Sequence, residues 1–250
     1  MAHRLMISTV APVTLAVLAL FFLWQGATWL FDVPAYILPK PLDIFAGALA
    51  RKALLGKALY ITFAEALLGF LLGALVGLAA AVAMILLPLL ERMLLPLFVA
   101  LNSVPTVAFV PLALIWFGLG MGSKIAIAAF AVSFAMLLNA LDGLKRPEPA
   151  SLDLLRSFGA GPFGILWRLR LPVAMPAIVT GLRIGLARST ITVIVTEMLG
   201  AYSGIGQVIY QSTSQINYID VWAAVLVSSF GSLVLYGLLV AIDRKLVWWR

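Results

Sequence analysis

Apolar residues in this chain come in long unbroken runs, separated by short polar breaks rich in proline and glycine. Six runs are long enough to cross a bilayer with some tilt: residues 8–31, 60–87, 94–117, 123–144, 173–200 and 219–242. In lipid each backbone amide must find its partner inside the segment, and the alternation of a barrel strand is missing, so helices are expected throughout. The breaks carry helix-ending chemistry. Pro34, Pro39 and Pro41 follow the first run, and Pro88, Glu91, Arg92 and Pro96 form the second turn. Gly118, Gly120 and Gly122 make the third break, and Gly200, Gly204 and Gly206 follow the fifth run. The longest interruption, 145–172, opens with Lys145-Arg-Pro-Glu-Pro149.

Composition strengthens this reading. The chain of 250 residues is 64% hydrophobic and 11% charged, with a mean hydropathy of +1.12. A water-soluble domain has no means of hiding that much apolar surface. The expected class is therefore an all-α polytopic membrane protein with six transmembrane helices. The first run is too long for a signal-peptide core and lacks a small-residue cleavage site, so it reads as a retained span. Two parts are expected: residues 1–59, a first transmembrane helix with an interfacial amphipathic segment (41–59), and residues 60–250, the core, with the polar loop at 145–172.

The net charge of +7 fits positive cytoplasmic loops better than nucleic acid, which is not expected as a partner. With both termini inside, the cytoplasmic segments hold Arg4, Arg92, Lys145, Arg146, Arg156, Arg168, Arg170, Arg244, Lys245 and Arg250. The opposite side then holds Lys40, Arg51, Lys52, Lys57 and Lys124, which places 145–172 in the cytoplasm. Chemistry is sparse. No cysteine is present and His3 is the lone histidine, so disulfides, thiolate or imidazole metal sites and a His-based triad are excluded. The ten acids are scattered without a catalytic cluster, and no phosphate-binding Gly-x-x-x-x-Gly-Lys-Ser/Thr loop occurs. The chain reads as neither an enzyme nor a cofactor binder.

Within 145–172, Ser151 is a candidate N-cap with Asp153 in the first turn, and Leu152, Leu155 and Phe158 form an apolar stripe. Gly159, Gly161 and Pro162 then break the helix, and an amphipathic piece, Phe163 to Arg170, leads into the next span. A short helix with an apolar ridge and charged edges suits a groove on a partner; packing on lipid is the plainer alternative. The segment Asp153-Leu-Leu-Arg-Ser-Phe-Gly159, followed after nine residues by Leu169-Arg-Leu-Pro172, resembles the EAA loop of ABC importer permeases. Asp153 stands for the Glu, Leu154 and Leu155 for the alanines, and Leu169 for the Ile.

The resemblance extends from about Leu38 to the C-terminus, to the nitrate, sulfonate and taurine branch of these permeases. It rests on Leu38-Pro-Lys-Pro41, Ser103-Val-Pro-Thr-Val-Ala-Phe-Val-Pro111 with Ile115-Trp-Phe-Gly118, Gly181-Leu-Arg183, Thr196-Glu-Met-Leu-Gly200 and Ser203-Gly-Ile-Gly206. It implies the type I ABC importer permease fold in the inner membrane of a prokaryote. The implied partners are a second permease copy, two cytoplasmic ATPases and an extracytoplasmic solute-binding protein. Asp153, Leu154, Leu155, Arg156, Phe158, Gly159 and Ala160 would dock the ATPase. The implied solute is a small anion such as sulfonate, taurine or nitrate. A neutral or aromatic solute such as a thiamine pyrimidine precursor is the alternative, and a stand-alone channel or secondary transporter is the reading from a different class.

Polar groups at membrane depth single out the fifth span. Arg188, Thr192 and Thr196 recur at four-residue steps, with Ser189 beside them and Glu197 near the outer end. They read as a stripe lining the solute path, with Arg188 attracting an anion, or else as interhelical bonding with Arg188 paired to Glu197 or Glu65. Asn139, Asn102 and Ser103 are secondary candidates, with interhelical bonding the plainer reading of a lone Asn, and Glu65 reads either as lining the cavity or as pairing with an arginine. Arg183 reads as an anchor, Gly69, Gly73 and Gly77 as a close-packing stripe, and Trp24, Trp29, Trp248 and Trp249 as interfacial anchors.

Overall fold

A computed structural model describes the backbone from Ala2 to Leu246 and the side chains of residue 12, residues 14–241 and Asp243. The expectations attached to the side chains of His3, Arg4, Arg244, Lys245, Trp248, Trp249 and Arg250 lie outside the described residues. Among those described, the secondary structure is helical: α1 (Ala2–Leu30), α2 (Pro41–Ala50), α3 (Lys52–Leu86), α4 (Pro88–Asn102), a 3-10 turn (Thr106–Phe109), α5 (Val110–Phe117) and α6 (Met121–Lys145). The chain continues through α7 (Pro149–Ser157), α8 (Pro162–Ile165), a π turn (Leu166–Arg170), α9 (Leu171–Leu199), α10 (Ile205–Ser214) and α11 (Tyr218–Leu246).

Among the described residues, α3, α6, α8 continued through α9, and α11 are each long and apolar enough to cross a membrane. The expected third span is different. It is broken at Ser103–Pro105, and α4 meets the Thr106–Phe117 segment at 91°. Pro105 has no amide hydrogen to continue the helix and disfavours helical backbone at Val104 before it. Apolar composition was continuous through 94–117, but the proline overrode it. The two arms are held together across α6 by a chain of edge-on rings, Phe98–Phe134–Phe130–Phe109, with centroids 5.7, 4.7 and 5.3 Å apart. Of the expected first span, Thr14–Leu30 is described as an apolar helix.

The helix α6 sits at the centre, with α3 and α9 against it. Their shared core includes Phe70, Met84, Val132, Met136, Leu137, Leu144, Ala174 and Ile178. Glycines let the backbones approach. A methyl group on Gly73 would lie 2.4 Å from the Ala129 carbonyl oxygen, and one on Gly77 would lie 2.4 Å from that of Ser133. Small residues at this spacing replace the hydrophobic effect, which lipid does not supply, with direct van der Waals contact.

The stretch 41–59 is not a single interfacial segment. It divides into α2 and the first turns of α3, which starts at Lys52 rather than near 60, so the expected boundary at 59/60 falls inside a helix. Ile44, Leu55 and Ala58 are buried against Ile205, Ile209, Ala223 and Ala224, so this apolar face packs on protein. Trp24 is likewise a packing residue, edge-on to Trp222 at 5.3 Å, whereas Trp29 is exposed.

Gly73→Ala should lower the thermal unfolding midpoint of the detergent-purified chain, because α3 and α6 must separate; overpacking of this kind costs about 1–3 kcal/mol. Ala substituted at the open Gly56, where no atom lies within 4 Å, should leave the midpoint in place.

Candidate functional site

Two polar regions stand at opposite ends of the α3–α6–α9 core. The first is the 145–172 segment. Glu148, not Ser151, occupies the N-cap of α7, and Pro149 enters the first turn, where its missing amide hydrogen is not needed. No residue of α7 is buried. Leu154 and Phe158 are 58% and 79% exposed, while Leu152 and Leu155 are half-buried. The bare ridge is therefore Leu154–Phe158, flanked by the exposed pair Asp153–Arg156 (3.1 Å), and not the expected stripe of Leu152, Leu155 and Phe158.

Gly159 ends α7 with φ +79°, and the amides of Gly159 and Ala160 return to the carbonyls of Arg156 and Leu155 at 2.9 and 3.0 Å. This left-handed closure favours glycine because a Cβ there strains the backbone. The π turn then leads into Leu171-Pro172. Proline clashes with the carbonyl four residues back, and a widened turn relieves that crowding. The loop is tied to the core by a Lys145–Glu91 ion pair and by Arg170, which donates to the Leu144 carbonyl at 2.8 Å.

The second region is a buried knot. Glu197 is 1% exposed and accepts from the Thr62 hydroxyl (2.8 Å) and from the Gly206 amide (2.7 Å). The Thr62 oxygen also accepts from the Ile205 amide at 2.8 Å, so two orphan donors at the start of α10 are satisfied. Gly204, with φ +106°, passes so close that a Cβ would lie 2.1 Å from a Glu197 oxygen. Lys124, also 1% exposed, donates to the Leu119 carbonyl and, at 2.7 Å, to the Gly200 carbonyl. Glu65 lies beside both Glu197 and Lys124. Lys124 is therefore a buried structural cation, not the loop charge expected from its position. The clue was present: a lysine opening an apolar span, with two carboxyls at membrane depth in neighbouring spans, needs partners.

The expected pathway stripe separates. Ser189, Thr192 and Thr196 are buried; Ser189 donates to the Ala66 carbonyl at 2.6 Å and Thr196 to that of Thr192 at 2.7 Å. Arg188 is exposed and points the other way, donating to Asn102 Oδ1 at 3.3 Å beside the break in the third span. Neither Glu65 nor Glu197 is its partner. Asn139 donates to Ala135 in its own helix at 2.8 Å. Arg183 is paired with Asp243, which joins α9 to α11. A groove of about 510 Å³ between α9 and α11, missed in the sequence, is lined by Thr190, Ser228, Ser229, Ser232 and Tyr236 among others. Its serines lie three and four residues apart, the spacing of a single helix face. Among the described residues, no group of three or more His, Cys, Asp or Glu side chains could hold a metal ion.

Residues 69–248 match the family described as the binding-protein-dependent transport system inner membrane component. The chain belongs to that family and is a multi-pass membrane permease of the ABC importer class. It is 32% identical to the taurine transport permease TauC of Escherichia coli, over 95% of this chain and 88% of that one. It is 30% identical to the formylaminopyrimidine transport permease ThiX of Halalkalibacterium halodurans, over 95% of both chains. A third relative is the riboflavin transport permease RibX of Chloroflexus aurantiacus, 30% identical over 96% of this chain and 89% of that one. The fold is similar to a chain of the MetNI methionine ABC transporter in an inward-facing conformation. That similarity has a TM-score of 0.60 at 20% identity and covers 76% of this chain and 98% of the other. Family membership removes the stand-alone channel and secondary-transporter readings.

Glu197→Ala leaves the Gly206 amide without its acceptor and the Thr62 hydroxyl with the Ala58 carbonyl alone. The variant should be destabilised by about 3 kcal/mol, read as a lower unfolding midpoint in detergent.

Proposed function

We propose that this chain is the solute-conducting subunit of an importer in the plasma membrane of a prokaryote. It works as a homodimer, with its 145–172 loop gripped by separate cytoplasmic ATPase subunits and a solute-binding protein docking at the opposite face. ATP hydrolysis belongs to the ATPase and not to this chain. The observation that carries the reading is α7: a helix with no buried residue, ending on a left-handed glycine and presenting Leu154 and Phe158 bare between Asp153 and Arg156. Asp153, Leu154, Leu155, Arg156, Phe158, Gly159 and Ala160 form the docking element. The cations at 92, 145, 146, 156, 168 and 170 support placing this end in the cytoplasm. Two of the five cations on the other side have protein partners, since Arg51 pairs with Asp220 at 2.8 Å and Lys124 is buried.

The solute is a small anion of the sulfonate, taurine or nitrate kind, and Arg188 is its contact. Arg188 is the cation on the open face of α9, held by one long bond to Asn102 beside a break in a membrane helix. Its remaining donors can make charge-assisted hydrogen bonds to an oxyanion. Ser189, Thr192, Thr196 and Glu197 hold the helices behind that face, and Asn139 stands within the core. A second reading, a neutral or aromatic solute, draws support from the ThiX and RibX relatives and from the serine-lined groove beside Tyr236.

Gly159→Val should reduce uptake by about tenfold or more, because the β-branched side chain resists the left-handed turn that orients α7. The strain, about 1–2 kcal/mol, falls in an exposed turn with no atom within 4 Å of the new Cβ, so the spans should still fold with a slightly lowered unfolding midpoint, and the ATPase should no longer copurify. Retained transport and retained ATPase would remove the docking assignment. Arg188→Ala should lower kcat/KM for taurine uptake in proteoliposomes by about tenfold, the effect of losing one charge-assisted contact. Unchanged taurine kinetics would take Arg188 out of the path and favour the neutral-solute reading.

A further inference from the structure

Two arginines of the 145–172 loop, Arg156 and Arg170, share a cavity. A space of about 300 Å³ lies where α3 ends and α7, α8 and the π turn come together, and it is lined by Ile85, Leu86, Pro88, Ile165, Arg156 and Arg170 among others. No carboxylate lines it. Arg170 spends one donor on the Leu144 carbonyl, and Arg156 contacts Asp153 outside the cavity at 3.1 Å. Both side chains line the same space, which concentrates positive charge there. Asp153 offsets Arg156 from one side alone, and positive charge beside an apolar-walled space favours an anion within it.

The walls indicate which anion. The cavity opens where the membrane-spanning parts of α3 and α9 end, and the flanking Leu89, Phe163 and Trp167 are 71%, 67% and 70% exposed. Apolar and aromatic side chains bare at a helix end mark the depth at which lipid headgroups lie. We propose that this cavity is a binding site for the headgroup phosphate of an anionic phospholipid, with Arg156 and Arg170 as its donors and the acyl chains running over the apolar flank. Basic pockets between membrane helices take headgroups in this way. The assignment does not depend on which side of the membrane the loop faces. The lipid would set the stance of α7 relative to the core, because one arginine belongs to α7 and the other precedes α9.

The test uses the full chain, purified in detergent and stripped of lipid, then titrated with phosphatidylglycerol or phosphatidylcholine of matched chain length. Bound lipid is read by native mass spectrometry. Phosphatidylglycerol should bind preferentially, and Arg156→Gln should weaken it about tenfold. Arg170→Gln should do the same, with Arg170→Lys recovering most of the binding, which separates loss of charge from loss of fold. Equal binding of the two lipids, or unchanged phosphatidylglycerol binding in Arg156→Gln, overturns the proposal. Inorganic phosphate that displaces the lipid at equal concentration reassigns the cavity to a soluble anion and overturns it too. The same holds if Arg156→Gln binds lipid normally but fails to copurify with the ATPase, which would assign the arginines to an acidic side chain of that partner.

Discussion

The Glu197 carboxylate binds four parts of the chain at once. It sits in the last turn of α9, takes a hydroxyl hydrogen from α3 and an amide hydrogen from the start of α10, and lies beside the Lys124 ammonium that ties α6 to the turn at Gly200. A charge buried at membrane depth is unfavourable unless every lone pair has a donor, so this geometry tolerates little variation. The neighbouring residues follow from it. Thr62 must be a small hydroxyl that can both donate and accept, and Gly204 must be glycine because its backbone passes against the carboxylate in a left-handed conformation. The short α10 has its first amides capped by side chains from two other helices, Thr62 of α3 and Glu197 of α9, so its position is inherited from both.

A rigid unit results. The glycine contacts between α3 and α6 leave no room for sliding, and the knot fixes the far ends of the same helices. The 145–172 end is different in kind. Its helix α7 is bare, its attachments are an ion pair, one arginine–carbonyl bond and a π turn, and its cavity carries two like charges. Stability concentrated at one end and sparse contacts at the other make the loop the part that a partner can move without unfolding the core. In the proposed role this asymmetry is useful: a lever must be gripped at its loose end and anchored at its stiff one.

Much of this was legible in the residues. Unbroken apolar runs gave the helical membrane class; α6 and α9 begin and end within two residues of their expected limits, and α11 begins one residue early and runs four residues further. The spacing of Asp153, Gly159 and Leu171-Pro172 located the exposed helix. What was not legible depended on three-dimensional neighbours. Hydropathy averages over a window and so passed through Pro105 without registering the 91° bend. A four-residue repeat placed Arg188, Thr192 and Thr196 on one stripe, but the stripe is wider than the open face, and only Arg188 falls outside the buried sector. Lys124 was counted with loop charges because its position in sequence, at the start of a span, is where such charges usually stand.

The bend and Arg188 bear on one another. A helix broken at membrane depth leaves carbonyls and amides that must find partners in protein or in a wet space, and irregular backbone persists there only where it is shielded or lines a cavity. Ser103 and Asn102 stand at that break, with the Ser103 hydroxyl returned to the Val99 carbonyl at 3.0 Å and the Asn102 side-chain oxygen turned to Arg188. An exposed arginine facing lipid would be very unfavourable, whereas one facing water or a polar solute at the same depth would not. Among the described residues, Asn102 is the one polar partner of Arg188, and the break stands open beside it. In the proposed homodimer, a second copy enclosing a wet path between the two open faces of α9 would meet both requirements, and lipid alone would meet neither.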